Sequence, residues 1–193
     1  IGYEVAVTPL QTLTFYNAVA NNGKMMQPQF VDHISRNGKV IEKFAPKVID
    51  PKICSDATLD IVHGLLQGVV DSGTATNLRA AHFAIAGKTG TARIARNGNY
   101  NDVLYQASFV GYFPANAPKY SCIVVVNGPT MSGIYGNVVA GPVFKEIADK
   151  IYSNRLELQQ ETLLAEAIGP RTPVSLSGHS GDLRTALEGS KVP

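Results

Sequence analysis

Three strand-like segments separated by short connections constrain the fold of this chain more than any other feature. The segments are Phe83–Ile94, Leu104–Phe113 and Tyr120–Asn127, and the connections between them are rich in Asn, Gly and Pro. A crossover to a parallel neighbour needs about a dozen residues or more, so connections this short join antiparallel strands. The sequence therefore predicts a three-stranded antiparallel meander.

Local signals predict a helix and a hairpin before this sheet. Thr8 is a helix N-cap candidate, and Asn22-Gly23 is typical of a helix end. Asn37-Gly38 joins two apolar-rich runs, and this dipeptide is the strongest short signal for a β-hairpin.

Helical periodicity predicts two more helices, one before the sheet and one after it. The first begins at its cap Ser55, ends near Val70, and has a predicted buried stripe of Leu59, Val62, Leu66 and Val69. After the last strand, apolar residues recur at every fourth position, at Val139, Val143, Ile147 and Ile151. We expect this last helix to lay that face on the sheet. The predicted fold class is therefore α+β, an antiparallel sheet flanked by helices.

Composition argues against several classes of function. The 17 Lys and Arg against 15 Asp and Glu give a net charge of +2, which is too small to indicate a nucleic-acid partner. Cys54 and Cys122 do not make a disulfide framework, and the four histidines show no metal-ligand spacing. We therefore assign no metal and no cofactor. No apolar run approaches the roughly 20 residues that a membrane-spanning helix needs.

The chain divides by composition near Tyr152. All tyrosines and phenylalanines lie at or before that residue, and the last 25 residues are rich in Gly, Pro and Ser. A segment of that composition buries too little apolar surface to offset its ordering entropy. We expect residues 1–152 to form the folded part and residues 153–193 to form a helix extension and a flexible tail or linker. Because the chain starts without Met or a signal peptide, we also expect it to be cut from something longer.

The segment with the most chemistry lies on the first predicted strand of the sheet and reads Gly87-Lys88-Thr89-Gly90-Thr91. Lys88 supplies a fixed positive charge, and Thr89 and Thr91 supply hydroxyls that can bind a carboxylate. The glycines remove side chains from a strand interior, which is usual where a ligand or another backbone comes close. A strand with an open edge and these groups suits an extended peptide with a free C-terminus.

Several blocks around this segment resemble class B penicillin-binding proteins, particularly those of the cell-division type. Lys-Thr-Gly is itself one of the motifs of serine β-lactamases and penicillin-binding proteins. The resemblance covers about residues 1–152. Its blocks are, in family order, Ile1-Gly2-Tyr3, Val7-Thr8-Pro9-Leu10-Gln11, Ser72-Gly73-Thr74-Ala75, Ala86-Gly87-Lys88-Thr89-Gly90-Thr91-Ala92, Phe109-Val110-Gly111-Tyr112-Phe113-Pro114, Tyr135-Gly136 and Ala140-Gly141-Pro142-Val143-Phe144.

The resemblance implies a peptidoglycan D,D-transpeptidase, of which this chain is the C-terminal half of the transpeptidase domain. It implies that Lys88 and Thr91 are catalytic: Lys88 in a proton network with a Ser-x-Asn serine, and the Thr91 backbone N–H as an oxyanion donor. It also implies that Thr89, Gly90 and Thr91 bind substrate, with both threonine hydroxyls on its carboxylate.

The implied partners are D-Ala-D-Ala stem peptides of peptidoglycan, β-lactam antibiotics, the missing N-terminal half of the same domain, and divisome proteins. We expect the isolated fragment to expose a sheet edge and apolar helix faces, which favour association with another copy. The implied location is the periplasmic face of the cytoplasmic membrane, with the parent protein anchored by an upstream transmembrane helix.

The nucleophile that such an enzyme needs is missing from this chain. No serine is followed by Lys three positions later, so no Ser-x-x-Lys pair is present. Ser35-Arg36-Asn37 matches Ser-x-Asn, but we interpret it as part of the hairpin turn. We therefore expect the fragment alone to be inactive. The alternatives are a fragment of a serine β-lactamase or D,D-carboxypeptidase, and a non-catalytic penicillin-recognising sensor module.

Two other groups carry weaker signals. Asp60, His63 and Gln67 lie three and four residues apart on the second predicted helix, and we interpret them as a solvated face. The glycine-rich run Met131–Gly136 either borders the binding cleft or is a plain strand-to-helix connection.

Overall fold

The computed structural model describes residues 5–80, 82–94, 104–130, 133–155 and 158. Residues Ile1–Gln159 cluster into one unit and Gln160–Pro193 into another, and every described residue belongs to the first. The predicted boundary between residues 152 and 153 stays a prediction. Within the described ranges, no helix is long and apolar enough to cross a membrane.

The described elements are helices and antiparallel strands. In chain order they are α1 (Pro9–Ala20), β1 (Met25–Met26), β2 (His33–Arg36), β3 (Lys39–Lys43), β4 (Val48–Asp50), α2 (Asp56–Asp71), a 3₁₀ turn (Thr76–Leu78), β5 (Ala86–Arg93), β6 (Tyr105–Phe113), β7 (Tyr120–Asn127), α3 (Gly136–Val139) and α4 (Gly141–Asn154).

The strands β5, β6 and β7 form one antiparallel sheet in chain order. The register places Lys88 opposite Val110, and Val110 opposite Ile123. The predicted meander is confirmed, although β5 begins at Ala86 and not at Phe83. With helices on both faces of this sheet, the predicted α+β class is confirmed as well.

The local signals near the start of the chain also form the predicted structures. The Thr8 hydroxyl accepts a hydrogen bond from the Gln11 N–H at 3.2 Å, and the Gln11 side chain accepts one from the Thr8 N–H at 2.8 Å. This reciprocal capping box begins α1. Between β2 and β3, Asn37 and Gly38 have φ values of 51° and 76°. Positive φ at both central positions is what a two-residue hairpin turn needs.

Two hydrophobic clusters cover the opposite faces of the sheet. On one face, Tyr112 packs with Ala86, Val19 of α1 and Leu59 of α2. On the other face, Phe109 packs with Phe144 of α4, with ring centroids 4.8 Å apart. Because successive strand residues point to opposite faces, Phe109 and Tyr112 lie on different sides of the same strand. The sheet that carries the Lys-Thr-Gly tripeptide is therefore covered on both faces.

The buried face of α4 differs from the prediction by one position. Gly141, Phe144, Ala148 and Tyr152 are the buried residues of this helix, whereas Val143 is 45% exposed. The aromatic side chains decide the rotation, because Phe144 fits between Phe109 and Phe113 on the sheet. The expectation that Val143 lies on the sheet was wrong.

His63 of α2 also departs from the expected solvated face. Its Nε2 lies 2.9 Å from the carbonyl oxygen of Val19, and its ring lies 5.8 Å from that of Tyr112. Asp60 is exposed, as expected. His63 therefore joins α2 to α1 and covers part of the core.

Candidate functional site

The candidate site is the outer edge of β5, which carries the Lys-Thr-Gly tripeptide. β5 is the terminal strand of the described sheet and is paired with β6 alone. Ile94 donates its N–H to Leu104 O at 2.8 Å, which is a bond to the β6 side. Because such bonds alternate along an antiparallel strand, the backbone groups of Thr89 and Thr91 point away from β6. The outer edge thus offers N–H and C=O groups to an extended ligand.

Lys88 brings a positive charge to this edge. Its side chain is exposed, and its ammonium donates to Thr89 O at 3.0 Å and lies 3.4 Å from Thr89 Oγ1. Within the described ranges, no carboxylate forms an ion pair with it. Because no carboxylate of the described ranges neutralises the Lys88 ammonium, its full positive charge can attract an incoming anion.

The hydroxyl of Thr89 has a second partner in a different part of the chain. Thr89 Oγ1 lies 3.2 Å from Thr74 Oγ1, and Thr74 belongs to the turn that follows α2. Thr74 was not singled out as a site residue by the sequence. Thr74 and Thr89 are 15 residues apart in the sequence, so their contact depends on tertiary packing and no local sequence pattern predicts it.

The hydroxyl of Thr91 is held by the start of α3. Gly136 donates its N–H to Thr91 Oγ1 at 3.3 Å. A backbone N–H can only donate, so Thr91 acts as the acceptor and its own hydroxyl hydrogen stays available. A side chain at position 136 would clash with Ser108 O and would meet Gly90 O at 2.7 Å. Of the two interpretations of the run 131–136, the structure therefore favours the one in which its last residue borders the site.

Two glycines bring β5 and β6 close together beneath the site. Gly87 lies directly opposite Gly111. A Cβ added at Gly87 would come within 2.9 Å of Gly111 Cα, and one added at Gly111 would come within 3.0 Å of Gly87 Cα. The close approach predicted for Gly87 is therefore an approach to another backbone and not to a ligand.

The structure brings Lys88, Thr89, Gly90 and Thr91 together on one strand edge, and it leaves Ser35 elsewhere. Ser35 lies in the exposed β2–β3 hairpin, so the Ser-x-Asn match there is part of a turn as expected.

In the described part of the chain, no group of three His, Cys, Asp or Glu residues could hold a metal ion. The groups that remain for chemistry are one ammonium, two hydroxyls and outward-facing backbone N–H groups.

Comparison with known proteins gives one consistent family. The family model described as the penicillin binding protein transpeptidase domain matches residues 1–149. Among curated proteins, the chain is 34% identical over 147 residues to the probable peptidoglycan D,D-transpeptidase PenA of Neisseria gonorrhoeae, which covers 76% of this chain and 23% of that protein. It is 29% identical over 150 residues to the stage V sporulation protein D of Bacillus subtilis, again with 76% and 23% covered.

Solved structures agree with the sequence comparison. The fold is similar to that of penicillin binding protein 3 from Mycobacterium tuberculosis, with a TM-score of 0.69, 28% identity, and coverage of 80% of this chain and 36% of that one. The same neighbour has been solved with aztreonam and with ampicillin. The chain spans about a quarter of the length of the curated relatives that it matches, with 27% and 23% of the first two covered.

Proposed function

This chain belongs to the penicillin-binding protein transpeptidase domain family and is similar to its class B members, and we propose that it forms the part of a peptidoglycan D,D-transpeptidase that binds the substrate carboxylate. The observation that carries the proposal is the outer edge of β5, where Lys88, Thr89 and Thr91 lie together. The reaction proposed here, D,D-transpeptidation of peptidoglycan, is the one that the names of the chain's relatives give. The nucleophilic serine and its lysine come from residues outside these 193.

The reaction consists of two acyl transfers. The serine Oγ attacks the carbonyl carbon of the penultimate D-Ala, a C–O bond forms, and the C–N bond to the last D-Ala breaks. The departing amine takes up the proton that the serine gave up. An amine from a neighbouring stem peptide then attacks the ester, the new C–N bond forms the cross-link, the C–O bond to the serine breaks, and the proton lost by the amine goes to the serine.

The residues of β5 have distinct tasks in this scheme. The Thr89 and Thr91 hydroxyls donate to the carboxylate of the last D-Ala, and the Lys88 ammonium attracts that carboxylate and takes part in the proton network of the serine. The outward-facing Thr91 N–H donates to the oxygen that becomes negative during the attack. Loss of one such donor typically costs on the order of 10²–10³ in rate. β-Lactams carry a matching carboxylate and acylate the same serine.

The setting of the parent protein follows from the same proposal. Stem peptides lie outside the cytoplasmic membrane, so the parent acts at its outer, periplasmic face, held there by an anchor. Division proteins are its proposed partners. The other proposed partner is the N-terminal half of the same domain, which brings the serine to the edge of β5.

Removing the charge of Lys88 tests this proposal in the full-length protein. We expect Lys88→Met to lower the rate of acylation by a fluorescent penicillin by at least about 100-fold, because both the carboxylate and the proton network lose their cation. Lys39→Met, at an exposed position of the hairpin, is the matched control and should react like the wild type. Equal rates in both variants would contradict the assigned site.

Two further measurements separate the alternatives. The 193-residue chain alone should gain no mass after incubation with penicillin, and a covalent adduct on it would refute the missing nucleophile. In the full-length protein, D-Ala release with transfer to an amine acceptor identifies a transpeptidase. Release to water alone identifies a carboxypeptidase, rapid turnover of penicillin identifies a β-lactamase, and acylation without any peptide reaction identifies a sensor.

A further inference from the structure

The hydroxyl of Thr74 lies next to the tripeptide without being part of it. The 3.2 Å contact between Thr74 Oγ1 and Thr89 Oγ1 joins the turn after α2 to the proposed carboxylate site. Neither side chain is enclosed in the core. The contact is therefore a hydrogen bond between two accessible hydroxyls and not a packing contact of the core.

The turn that carries Thr74 is firmly placed by its neighbours. Ala75 is fully buried, and its N–H donates to Val69 O at 3.0 Å. A Cβ added at Gly73 would come within 2.8 Å of Val69 Cα, so this glycine packs directly on the end of α2. Thr74 lies between these two residues, so the end of α2 fixes its position.

Counting donors and acceptors gives the direction of the hydrogen bond when a carboxylate is bound. The Lys88 ammonium can only donate, and a carboxylate can only accept. Thr89 has a single hydroxyl hydrogen, which must go to the carboxylate for Thr89 to bind it. Thr89 Oγ1 can then only accept from Thr74, so the hydrogen bond runs from Thr74 to Thr89 to the carboxylate. Hydrogen bonds in such a chain polarise and strengthen one another.

We infer that Thr74 is a positioning residue that directs the Thr89 hydroxyl hydrogen toward the carboxylate of substrates and β-lactams. This role rests on the proposed function of the β5 edge. Thr74 touches no reacting atom and acts only through Thr89. Its loss should therefore weaken the recognition of a carboxylate more than the acyl transfer itself.

The experiment compares acylation of the full-length protein by benzylpenicillin and by its methyl ester, which has no carboxylate. We expect Thr74→Val to lower the rate with benzylpenicillin about two- to tenfold, the range that one lost neutral hydrogen bond gives. The rate with the ester should stay within about twofold of the wild type, because a neutral ester gains little from the directed hydrogen. Thr74→Ser keeps the hydroxyl and should restore the rate.

Controls within the same turn and strand make the result specific. Thr76→Val removes an exposed hydroxyl two residues further on and should change neither rate. Because Thr74 acts through Thr89, the double variant with Thr89→Val should be no slower with benzylpenicillin than Thr89→Val alone. The melting temperatures of Thr74→Val, Thr74→Ser and Thr76→Val should match that of the wild type, since positions 74 and 76 are exposed.

The outcomes separate this inference from the proposed function. Equal losses on the acid and the ester, or additive losses in the double variant, would overturn the positioning role of Thr74. So would a Thr74→Val rate equal to the wild type while Thr89→Val is slow. If Thr89→Val itself leaves the rate with benzylpenicillin unchanged, the proposed carboxylate site fails, and the role of Thr74 fails with it.

Discussion

At the scale of single residues, the site depends on which hydroxyl hydrogens are left free. Gly136 donates to Thr91, and this leaves the Thr91 hydrogen for a ligand. The Thr89 hydroxyl oxygen accepts a hydrogen bond from the Lys88 ammonium, and it forms a second hydrogen bond with the Thr74 hydroxyl. Both threonines therefore face the strand edge with their acceptor capacity partly used inside the protein, which makes them donors toward an anion.

The place of the Lys-Thr-Gly tripeptide on the first strand of the sheet could be predicted from the sequence, because short connections and strand-like runs mark that strand; its role in binding stays a prediction. The partners of the threonines could not be predicted in the same way. Thr74 and Gly136 lie 15 and 45 positions from the threonines that they contact, and neither contact leaves a periodic or local signal. His63 shows the same limit, because only the packing of α1 on α2 gives its ring nitrogen the partner Val19 O.

Tyr112 provides a test of a buried polar group at this scale. Its ring is fully buried, its hydroxyl has no hydrogen-bond partner in the described part of the chain, and burial raises its pKa to about 12. We expect Tyr112→Phe to be neutral or stabilising by up to about 1 kcal/mol at neutral pH, because an unpaired buried hydroxyl contributes no stability. Urea unfolding measures this difference.

The same variant should alter the alkaline limit of stability. The unfolded chain ionises Tyr112 near its ordinary pKa of 10.0, whereas the folded protein does so only near 12. The associated stability is therefore complete below pH 10 and is lost as the pH rises through 12, on the order of 3 kcal/mol. Tyr112→Phe should lose less stability over this interval. An identical loss in both proteins would show that the pKa of Tyr112 is the same in the folded protein as in the unfolded chain.

At the scale of secondary-structure elements, short-range signals predicted the first helix cap and the hairpin turn, whereas long-range packing decided how the last helix is rotated. The Thr8 capping box and the Asn37-Gly38 turn formed as expected because each is closed by neighbouring residues. The rotation of α4 was not predictable in this way. A fourfold spacing fits both the stripe through Val143 and the stripe through Phe144, and only the aromatic rings of β6 choose between them.

Substitutions on α4 measure that choice directly. We expect Phe144→Ala to lower the free energy of unfolding by about 3–5 kcal/mol, because it leaves a cavity between α4 and the sheet. Val143→Ala, one position away and 45% exposed, should change it by less than about 0.5 kcal/mol. Denaturant unfolding monitored by circular dichroism compares the two. A larger loss with Val143→Ala than with Phe144→Ala would place the buried face of the helix where the periodicity alone put it.

At the scale of the whole molecule, the segment from β1 to β4 differs from the rest. The residues of β2, β3 and β4 are all exposed, although they include large apolar side chains. Phe30 is 84% exposed and Ile41 is 63% exposed. Apolar surface of this kind, next to strands with free edges, favours contact with another protein molecule.

We therefore expect the isolated chain to self-associate through the segment from β1 to β4. The double variant Phe30→Ser and Ile41→Ser should shift sedimentation velocity profiles toward the monomer at the same concentration, with an unchanged melting temperature. Val138→Ser, an exposed apolar position on α3, serves as the control and should leave the profile unchanged. If the double variant sediments like the wild type, association occurs elsewhere on the surface.

The facing pair Gly87 and Gly111 has a consequence for how the sequence of this strand pair can vary. A new side chain at either position meets the backbone of the other strand, and the facing residue is already as small as a residue can be. No second substitution can make room, so neither position has a compensated route away from glycine. Sequence changes that alter the edge of β5 should therefore accumulate around this pair, in residues such as Thr74 that contact the edge without separating the two strands.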